Sequence, residues 1–224
     1  TPIQYLVGET PWRNFILTVT PDVLITRPET ELIIDIAKAL VEESSIKEKL
    51  LHGHWADLGT GSGAISLGLA HTFPHTTICA IDISPQALEI AKQNAQQNSL
   101  QHRIRFYQGS WLAPISEPKY PLSGIISNPP YIPSREVLNL QPEVAKHEPH
   151  LALDGGSNGL NCIKILVATS MHHLIPGGIW LIELMHGQAQ TVANLLSRQK
   201  DYTQISIHLD LSGIERFVSA RKAL

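Results

Sequence analysis

The sequence predicts an α/β fold with a seven-stranded, mostly parallel, Rossmann-like sheet whose last strand is antiparallel. From Trp55 onward, short apolar runs alternate with segments of helical periodicity, a pattern typical of βαβ units. The last two apolar runs are joined through Asp210–Gly213 without a helix, so we expect them to pair antiparallel. A glycine-rich turn follows the first apolar run, at the point where sheets of this class bind nucleotides.

The first fifty residues predict a small β-hairpin and one helix. Two apolar runs, Tyr5–Val7 and Phe15–Val19, flank the turn-forming stretch Gly8–Pro11. A helix is predicted from about Glu29 to Val41, because its apolar residues recur on one helical face. We therefore expect residues 1–28 to form a linker with a hairpin, and residues 29–224 to form the domain that contains the sheet.

The seven strands and the helices between them follow from the same periodicity. Strands are predicted near 54–58, 77–82, 103–107, 122–127, 178–184, 203–209 and 214–220. Helices are predicted near 63–73, 85–98, 159–174 and 187–199. Ser84 and Pro85 supply an N-cap and a first-turn proline for the second of these helices.

Composition excludes several classes of protein. The chain has 224 residues, 43% of them hydrophobic and 17% charged, which argues against disorder. A net charge of −3 gives no general attraction to nucleic acid, and no apolar run reaches transmembrane length. Cys79 and Cys162 show no paired metal or redox spacing. We therefore expect a monomer in the reducing cytoplasm, without membrane contact or direct nucleic-acid binding.

Histidine pairs do not predict a metal site. His52 and His54, like His172 and His173, lack a third ligand at useful spacing. Solvated or packed histidines are the simpler interpretation.

The glycine-rich turn Asp57–Gly63 predicts a nucleoside-containing cofactor. Its glycines allow close approach of a ligand to the backbone, although the spacing also satisfies a relaxed dinucleotide fingerprint. Asp57 could help to hold a cationic amino-acid portion, which a pyrophosphate would not favour. Asp82, at the end of the second strand, can accept hydrogen bonds from ribose hydroxyls, and Trp111 can stack on adenine or be a buried anchor. Together these residues favour S-adenosylmethionine.

The stretch Ser127–Ile132 predicts an acceptor for a planar nitrogen. Pro129 and Pro130 lack N–H groups and stiffen the backbone, which leaves the Pro129 carbonyl free to face a ligand. Asn128 adds a second acceptor oxygen, and Tyr131 offers a flat face. Two acceptors and a ring suit the NH₂ group of an amide or a nucleobase.

These motifs, in this order, resemble the protein-(glutamine-N5) methyltransferases that modify peptide chain release factors. The resemblance runs from about Gln4 to the C-terminus. It is carried by Gln4–Glu9, Thr20–Ile25, Arg27–Glu31, Asp57–Ile65, Asp82–Pro85, Ser127–Ile132, Gln141–Glu143, Glu148–Pro149 and Leu151–Gly155. It implies a class I S-adenosylmethionine-dependent methyltransferase fold and methylation of the glutamine in the Gly-Gly-Gln motif of class-1 release factors.

The resemblance also implies roles for individual residues. S-adenosyl-L-methionine, and its product S-adenosyl-L-homocysteine, would be held by the loop residues Gly59, Thr60, Gly61, Ser62 and Gly63, with Asp82 on the ribose and Trp111 beside the adenine. Asn128 would lie between cofactor and substrate, and the segment Asn128, Pro129, Pro130 and Tyr131 would bind the substrate glutamine. In this scheme no hydroxyl acts as a base, so Tyr131→Phe should have a small effect.

Two positions depart from the pattern of relatives, and one domain is expected to lie outside the chain. Ser110 stands where many relatives have an acidic residue before the tryptophan, and Thr26 stands where they usually have proline. Relatives also carry an N-terminal helical domain that helps to dock the release factor, so this chain should bind cofactor normally and capture its protein substrate weakly.

Two rival substrates share the same acceptor chemistry. An N6-adenine methyltransferase acting on nucleic acid could use the same Asn-Pro-Pro-Tyr loop, but the acidic net charge argues against it. A glutamine methyltransferase of a ribosomal protein is the other rival, and Arg27–Glu31 looks more like the release-factor branch. A domain that only binds the cofactor or a partner is the non-enzymatic alternative, which the intact acceptor loop disfavours.

Overall fold

The computed structural model describes residues 1–115 and 121–223, and it contains the predicted seven-stranded sheet. Two strands form an N-terminal ribbon, β1 (Glu9–Trp12) and β2 (Phe15–Thr18). The sheet is built from β3 (His54–Leu58), β4 (Thr77–Asp82), β5 (Ile104–Gln108), β6 (Leu122–Ser127), β7 (Leu174–Glu183), β8 (Tyr202–Leu209) and β9 (Glu215–Lys222). Its strand order is β5-β4-β3-β6-β7-β9-β8, with β9 antiparallel to both neighbours and the other pairs parallel. The predicted fold class is confirmed.

Helices cover both faces of this sheet. They are α1 (Ile3–Val7), α2 (Leu32–Glu42), α3 (Lys47–His52), α4 (Ala64–Thr72), α5 (Pro85–Gln97), α6 (Ser134–Val137), α7 (Pro142–His147), α8 (His150–Leu153), α9 (Asn161–Ser170) and α10 (Ala189–Arg198). Short 3₁₀ turns lie at Pro28–Glu31 and Ala113–Ile115. No helix in the described ranges is long and apolar enough to cross a membrane.

The core consists of two apolar layers, one on each face of the sheet. Along β7, Ile179 and Leu181 pack on the face covered by α2 and α4, whereas Trp180 and Ile182 pack on the face covered by α9 and α10. This alternation is expected of a strand buried on both sides. The central strands are consequently rigid, and their carboxyl ends form a fixed edge on which a site can be built.

The N-terminal hairpin exists, but the predicted position of its first strand is wrong. Tyr5–Val7 belongs to α1, which ends at Gly8 with a φ of +82° and an N–H that donates to the carbonyl of Gln4 at 2.8 Å. Glycine here caps a helix rather than making the hairpin turn. The turn lies instead at Arg13 and Asn14, because Trp12 pairs with Phe15.

The hairpin is joined to the main core by its apolar side chains. Trp12, Phe15 and Leu17 are buried in the layer that also contains Ile33 and Ile34 of α2. The hairpin therefore folds onto the domain and fixes the position of the segment that follows it, residues 20–28.

Several short helices and one strand extension were not predicted from the sequence. The helices α6, α7 and α8 occupy the connection between the acceptor loop and α9. Strand β7 begins at Leu174, four residues before the predicted start, and its pairing with β6 shifts register across Pro176–Gly178. Residues of α7 and α8 line cavities beside the acceptor loop.

Candidate active site

The glycine loop joins β3 to α4 and is anchored to the neighbouring strand. The N–H groups of Gly59 and Thr60 donate to the carbonyl of Ile81 at 2.8 and 3.0 Å. Gly61 has a φ of +54°, and an added Cβ there would meet no atom within 4 Å, since this position faces an open cavity. The loop thus presents bare backbone to the cavity.

Asp57 lies beneath the loop rather than in the cavity wall. It is fully buried, and its Oδ2 accepts hydrogen bonds from the Thr60 hydroxyl at 2.6 Å and from the N–H and hydroxyl of Ser66 at 3.0 and 2.7 Å. Burial raises the pKa of this carboxyl to about 6. Its Oδ1 is buried without a partner among the described residues. Asp57 therefore shapes the loop and keeps one unused acceptor.

Asp82 closes the adjacent strand and lines the cavity. Its Oδ2 accepts from the N–H of Gly61 and its Oδ1 from the N–H of Ser84, each at 2.9 Å. Each carboxylate oxygen retains a further lone pair that a hydroxyl could use. Burial raises the pKa of Asp82, and the backbone N–H groups oppose that rise. Asp82, the residue predicted to bind the ribose, is thus held in place partly by the glycine loop itself.

Trp111 forms the opposite wall in a strained backbone conformation. Its φ is +50°, which a bulky residue rarely adopts. Half-buried, it lines the same cavity as Asp82 and Ser110. Backbone strain held at a ligand-facing position is typical of functional sites.

These residues enclose a cavity of about 290 Å³. Of the predicted cofactor residues, Gly59, Gly61, Asp82, Trp111 and Asn128 line it. Three others support the loop from behind. Thr60 is bonded to Asp57, the Ser62 carbonyl accepts from Nδ2 of Asn94 at 2.8 Å, and a Cβ on Gly63 would lie 3.1 Å from that of Ala91.

Asn128 lies at the carboxyl end of β6 and separates this cavity from a second one. The second cavity, of about 300 Å³, is lined by Asn128, Tyr131, Gln141 and Arg27 among others. The Asn128 Nδ2 faces the Thr30 hydroxyl at 3.4 Å. Within residues 1–115 and 121–223, no group donates to the Asn128 Oδ1 or to the carbonyl of Pro129. Both predicted acceptor oxygens are therefore available to a ligand.

Tyr131 and Pro130 complete the acceptor loop on different sides. Pro130 lines the first cavity and Tyr131 the second. The Tyr131 hydroxyl donates to Oε1 of Glu183 at 3.1 Å, so its ring is fixed at the outer end. Burial raises the pKa of the Tyr131 phenol, and the Glu183 carboxylate adds to that rise.

Glu183 is a site residue that the sequence reasoning missed. It ends β7 and is 1% exposed. Burial raises the pKa of its carboxyl, and the neighbouring Thr30 and Tyr131 side chains oppose the rise. Its Oε2 has no partner in the described part of the chain. The available signal was its position, since Asp57 and Asp82 are also acids near the carboxyl ends of apolar strands.

The roof over both cavities was also missed. Leu24 and Ala152 line both of them, from the segments 20–28 and 148–154. These segments are tied together by Arg27, whose Nη2 donates to Oε1 and Oε2 of Glu148 at 2.8 and 2.9 Å. The Glu148 side chain is 1% exposed. Arg27 and Glu148 both belong to motifs noted in the sequence, but no pattern in the sequence indicates that they meet.

The first cavity suits a nucleoside joined to an amino acid. Its bare glycine backbone, the Asp82 carboxylate and the flat face of Trp111 match the parts of S-adenosylmethionine. Among the residues described, no group of three histidine, cysteine, aspartate or glutamate side chains is arranged to hold a metal ion.

Comparison with known sequences identifies the family. The family model of the methyltransferase small domain matches residues 33–157. The release factor glutamine methyltransferase of Synechocystis sp. is 56% identical over 98% of this chain and 73% of its own length. Those of Thermosynechococcus vestitus and Gloeobacter violaceus are 47% and 42% identical, over 98% and 97% of this chain and 74% and 73% of their own lengths.

Solved structures share the fold at low sequence identity. A methyltransferase from Pyrococcus furiosus superimposes with a TM-score of 0.65 at 16% identity, covering 94% of this chain and 90% of its own. The N-terminal domain of human METTL16 in complex with SAH gives a TM-score of 0.64 at 16% identity, covering 92% and 75%. The fold is that of class I methyltransferases, and by its sequence this chain belongs to the release factor glutamine methyltransferase family.

Proposed function

We propose that this chain transfers a methyl group from S-adenosylmethionine to the side-chain amide nitrogen, N5, of the glutamine in the Gly-Gly-Gln motif of class-1 peptide chain release factors. Family membership supports the reaction and the class of substrate. The observation that carries the assignment of residues is the position of Asn128, which lines both cavities and has an unused Oδ1 beside the unused Pro129 carbonyl.

The first cavity is the proposed cofactor site. Gly59 and Gly61 offer backbone to the ligand, Asp82 accepts from the ribose, and Trp111 lies against the adenine. Thr60, Ser62 and Gly63 keep the loop in shape through contacts behind it. Asp57 holds Thr60 from beneath the loop, and its buried carboxylate favours the cationic amino group through its charge rather than by direct contact. Bound there, S-adenosylmethionine supplies an electrophilic methyl group on sulfur.

The second cavity is the proposed glutamine site. Asn128 Oδ1 and the Pro129 carbonyl accept the two N–H bonds of the substrate amide, while the Tyr131 ring packs on its plane. An amide nitrogen is a weak nucleophile because its lone pair is delocalised into the carbonyl. Orientation therefore has to supply much of the catalysis, and a well-held geometry can contribute about 7–11 kcal/mol. The new N–C bond forms as the S–C bond breaks, and the proton leaves the nitrogen afterwards, to water.

The test is mass spectrometry of a purified class-1 release factor after incubation with this chain and S-adenosylmethionine. One added methyl group on the Gly-Gly-Gln glutamine, absent with Asn128→Ala, is the expected result. Tyr202→Phe is a matched fold control, because the buried hydroxyl of Tyr202 donates to the Val167 carbonyl at 3.0 Å and neither residue lines either cavity.

Three other substrates, assayed in parallel, distinguish the proposed function from the rival functions. They are a release factor with the glutamine replaced, a ribosomal protein preparation and adenine-containing oligonucleotides. Methylation of an oligonucleotide or a ribosomal protein, with none on the release factor, would refute the proposal. Methylation of the release factor at another residue would refute the choice of acceptor.

A further inference from the structure

Two side chains, one at the end of β7 and one shortly after it, hold the acceptor loop at Tyr131. The Tyr131 hydroxyl donates to Oε1 of Glu183 at 3.1 Å, and Nε2 of Gln188 donates to the main-chain carbonyl of Tyr131 at 2.9 Å. Glu183 and Gln188 are 1% and 6% exposed, respectively. Both hydrogen bonds are thus shielded from water, where a lost partner is not easily replaced by solvent.

Neither residue lines either of the two cavities. Any effect on the substrate is therefore indirect: it passes through Tyr131 or, for Glu183, also through the neighbouring Thr30, which contacts Asn128. Gln188 is itself held in place, since its Oε1 accepts from the N–H of Met185 at 3.1 Å. Glu183 is fixed by its position at the end of a central strand, next to β6.

The loop between Tyr131 and Asn128 is short and stiff. Pro129 and Pro130 have φ angles set by their rings, so fixing Tyr131 restricts the direction in which Asn128 and the Pro129 carbonyl point. The other end of the loop is fixed by Ser127, whose hydroxyl donates to the carbonyl of Leu58 at 2.6 Å. The acceptor geometry is consequently determined from both ends.

We propose that Glu183 and Gln188 are positioning residues for methyl transfer: they clamp Tyr131 so that the Asn128 Oδ1 and the Pro129 carbonyl are aimed at the substrate amide. This inference rests on the proposed function for the meaning of the loop, but the clamp itself can be tested without catalysis. The sequence alone predicts a small effect of Tyr131→Phe on turnover. The clamp predicts a lower kcat instead, because this variant lacks the hydroxyl that donates to Glu183.

The catalytic test compares Glu183→Ala, Gln188→Ala and Glu183→Gln. Both alanine variants should lower kcat about 10- to 100-fold, as expected for a slightly misplaced acceptor, and leave the cofactor Kd within about threefold. Glu183→Gln keeps an oxygen that can accept from Tyr131, so it should recover most of the lost kcat. Tyr202→Phe, which loses a remote buried hydrogen bond, should leave kcat unchanged.

Two catalytic outcomes would overturn the clamp. One is a kcat within twofold of wild type for both alanine variants. The other is a Glu183→Gln variant as slow as Glu183→Ala, since that result would show a requirement for the carboxylate charge rather than for its hydrogen bond. If Glu183→Ala fails to fold, the kcat of Tyr131→Phe is compared with that of Tyr202→Phe. Equal kcat values for these two variants would also overturn the clamp.

Amide hydrogen exchange tests the clamp without turnover. The N–H of Ile132 donates to the carbonyl of Leu153 at 3.0 Å, so exchange in a peptide spanning 127–133 reports loop order. Glu183→Ala should speed that exchange, and Tyr202→Phe should not. A wild-type enzyme that fails to methylate any release factor would refute the proposed function alone, whereas unchanged exchange in Glu183→Ala would refute the clamp alone.

Discussion

The two halves of the active site are supported in different ways. In the cofactor half, the glycine loop is held by Asp57 and Ser66, which lie within nine positions of it in sequence, by the adjacent strand β4, and by Asn94 of α5, 32 positions from Ser62. In the acceptor half, the four residues Asn128–Tyr131 are held by Thr30, Glu183 and Gln188. Those supports are separated from the loop by 98, 52 and 57 positions.

The cofactor loop is therefore supported mainly by residues close to it in sequence, whereas the acceptor loop is supported by residues that approach it only in the folded domain. The cofactor loop is supported by its own strand–turn–helix unit and by β4 and α5, the two elements that follow that unit directly in the chain. The acceptor loop, by contrast, depends on correct assembly of the 3₁₀ turn Pro28–Glu31, β6, β7 and the start of α10. Damage to remote support should therefore impair turnover and spare cofactor binding.

The largest expected effect is that of Asn128→Ala. It removes one of two acceptors for the substrate amide, and loss of one such preorganised group typically costs about 10²- to 10³-fold in kcat. Cofactor Kd should stay within a few fold, because the loop and Asp82 are untouched. Steady-state kinetics with the release factor and calorimetry with S-adenosylhomocysteine measure the two quantities. Near-normal turnover would remove Asn128 from the mechanism.

The reciprocal change in the cofactor half is Asp82→Ala. Hydrogen bonds to a charged group are worth about 1.5–3 kcal/mol, so the cofactor Kd should rise about 10- to 100-fold. Loss of the contact to the Gly61 N–H contributes to this rise. At saturating cofactor, kcat should recover to within a few fold of wild type. A kcat that stays as low as that of Asn128→Ala would show that the two halves are not separable.

The sequence predicted the local half well, for a physical reason. Asp57, the glycines and Asp82 lie at strand ends that periodicity already defines, so their convergence follows from the order of parallel strands. For the acceptor half the sequence predicted Asn128–Tyr131 but not Glu183, Gln188 or the Arg27–Glu148 pair. Those contacts join loops and element ends that are 52 to 121 positions apart in sequence, and local periodicity does not indicate which of them meet. Gly8 was misassigned because a helix cap and a hairpin turn favour the same residue.

A third prediction concerns Asp57 and the pH dependence of stability. Its folded-state pKa, about 6, lies above the usual 3.8, so between these values the folded protein holds a proton that the unfolded chain has released. The contribution of this proton to the free energy of unfolding is full below pH 3.8, the usual pKa, and is lost as the pH rises through about 6. Between pH 5 and 7.5 it should fall by about 1 kcal/mol.

Asp57→Asn isolates this contribution, since asparagine does not titrate. Free energies of unfolding from urea denaturation of cofactor-free protein, measured for both proteins at both pH values, give the difference. Wild type should lose stability relative to Asp57→Asn as the pH rises. A difference that does not vary with pH would mean that Asp57 stays ionised throughout, and that the loop tolerates a buried charge.

The smallest expected effect is that of Ser110→Asp, which restores the acidic residue that many relatives are expected to have. Ser110 is exposed in the cofactor cavity next to Trp111, so a carboxylate there could accept from the adenine amino group. An exposed charge-assisted bond of this kind should lower the cofactor Kd only about two- to fivefold, partly because Asp82 lines the same cavity with like charge. Ser110→Asn is the uncharged control. In either variant kcat should not change, because nothing in the cofactor half holds Tyr131. A change in kcat without a change in Kd would mean that the conformation around Ser110 and Trp111 affects the acceptor loop. The separate supports of the two halves argue against such coupling.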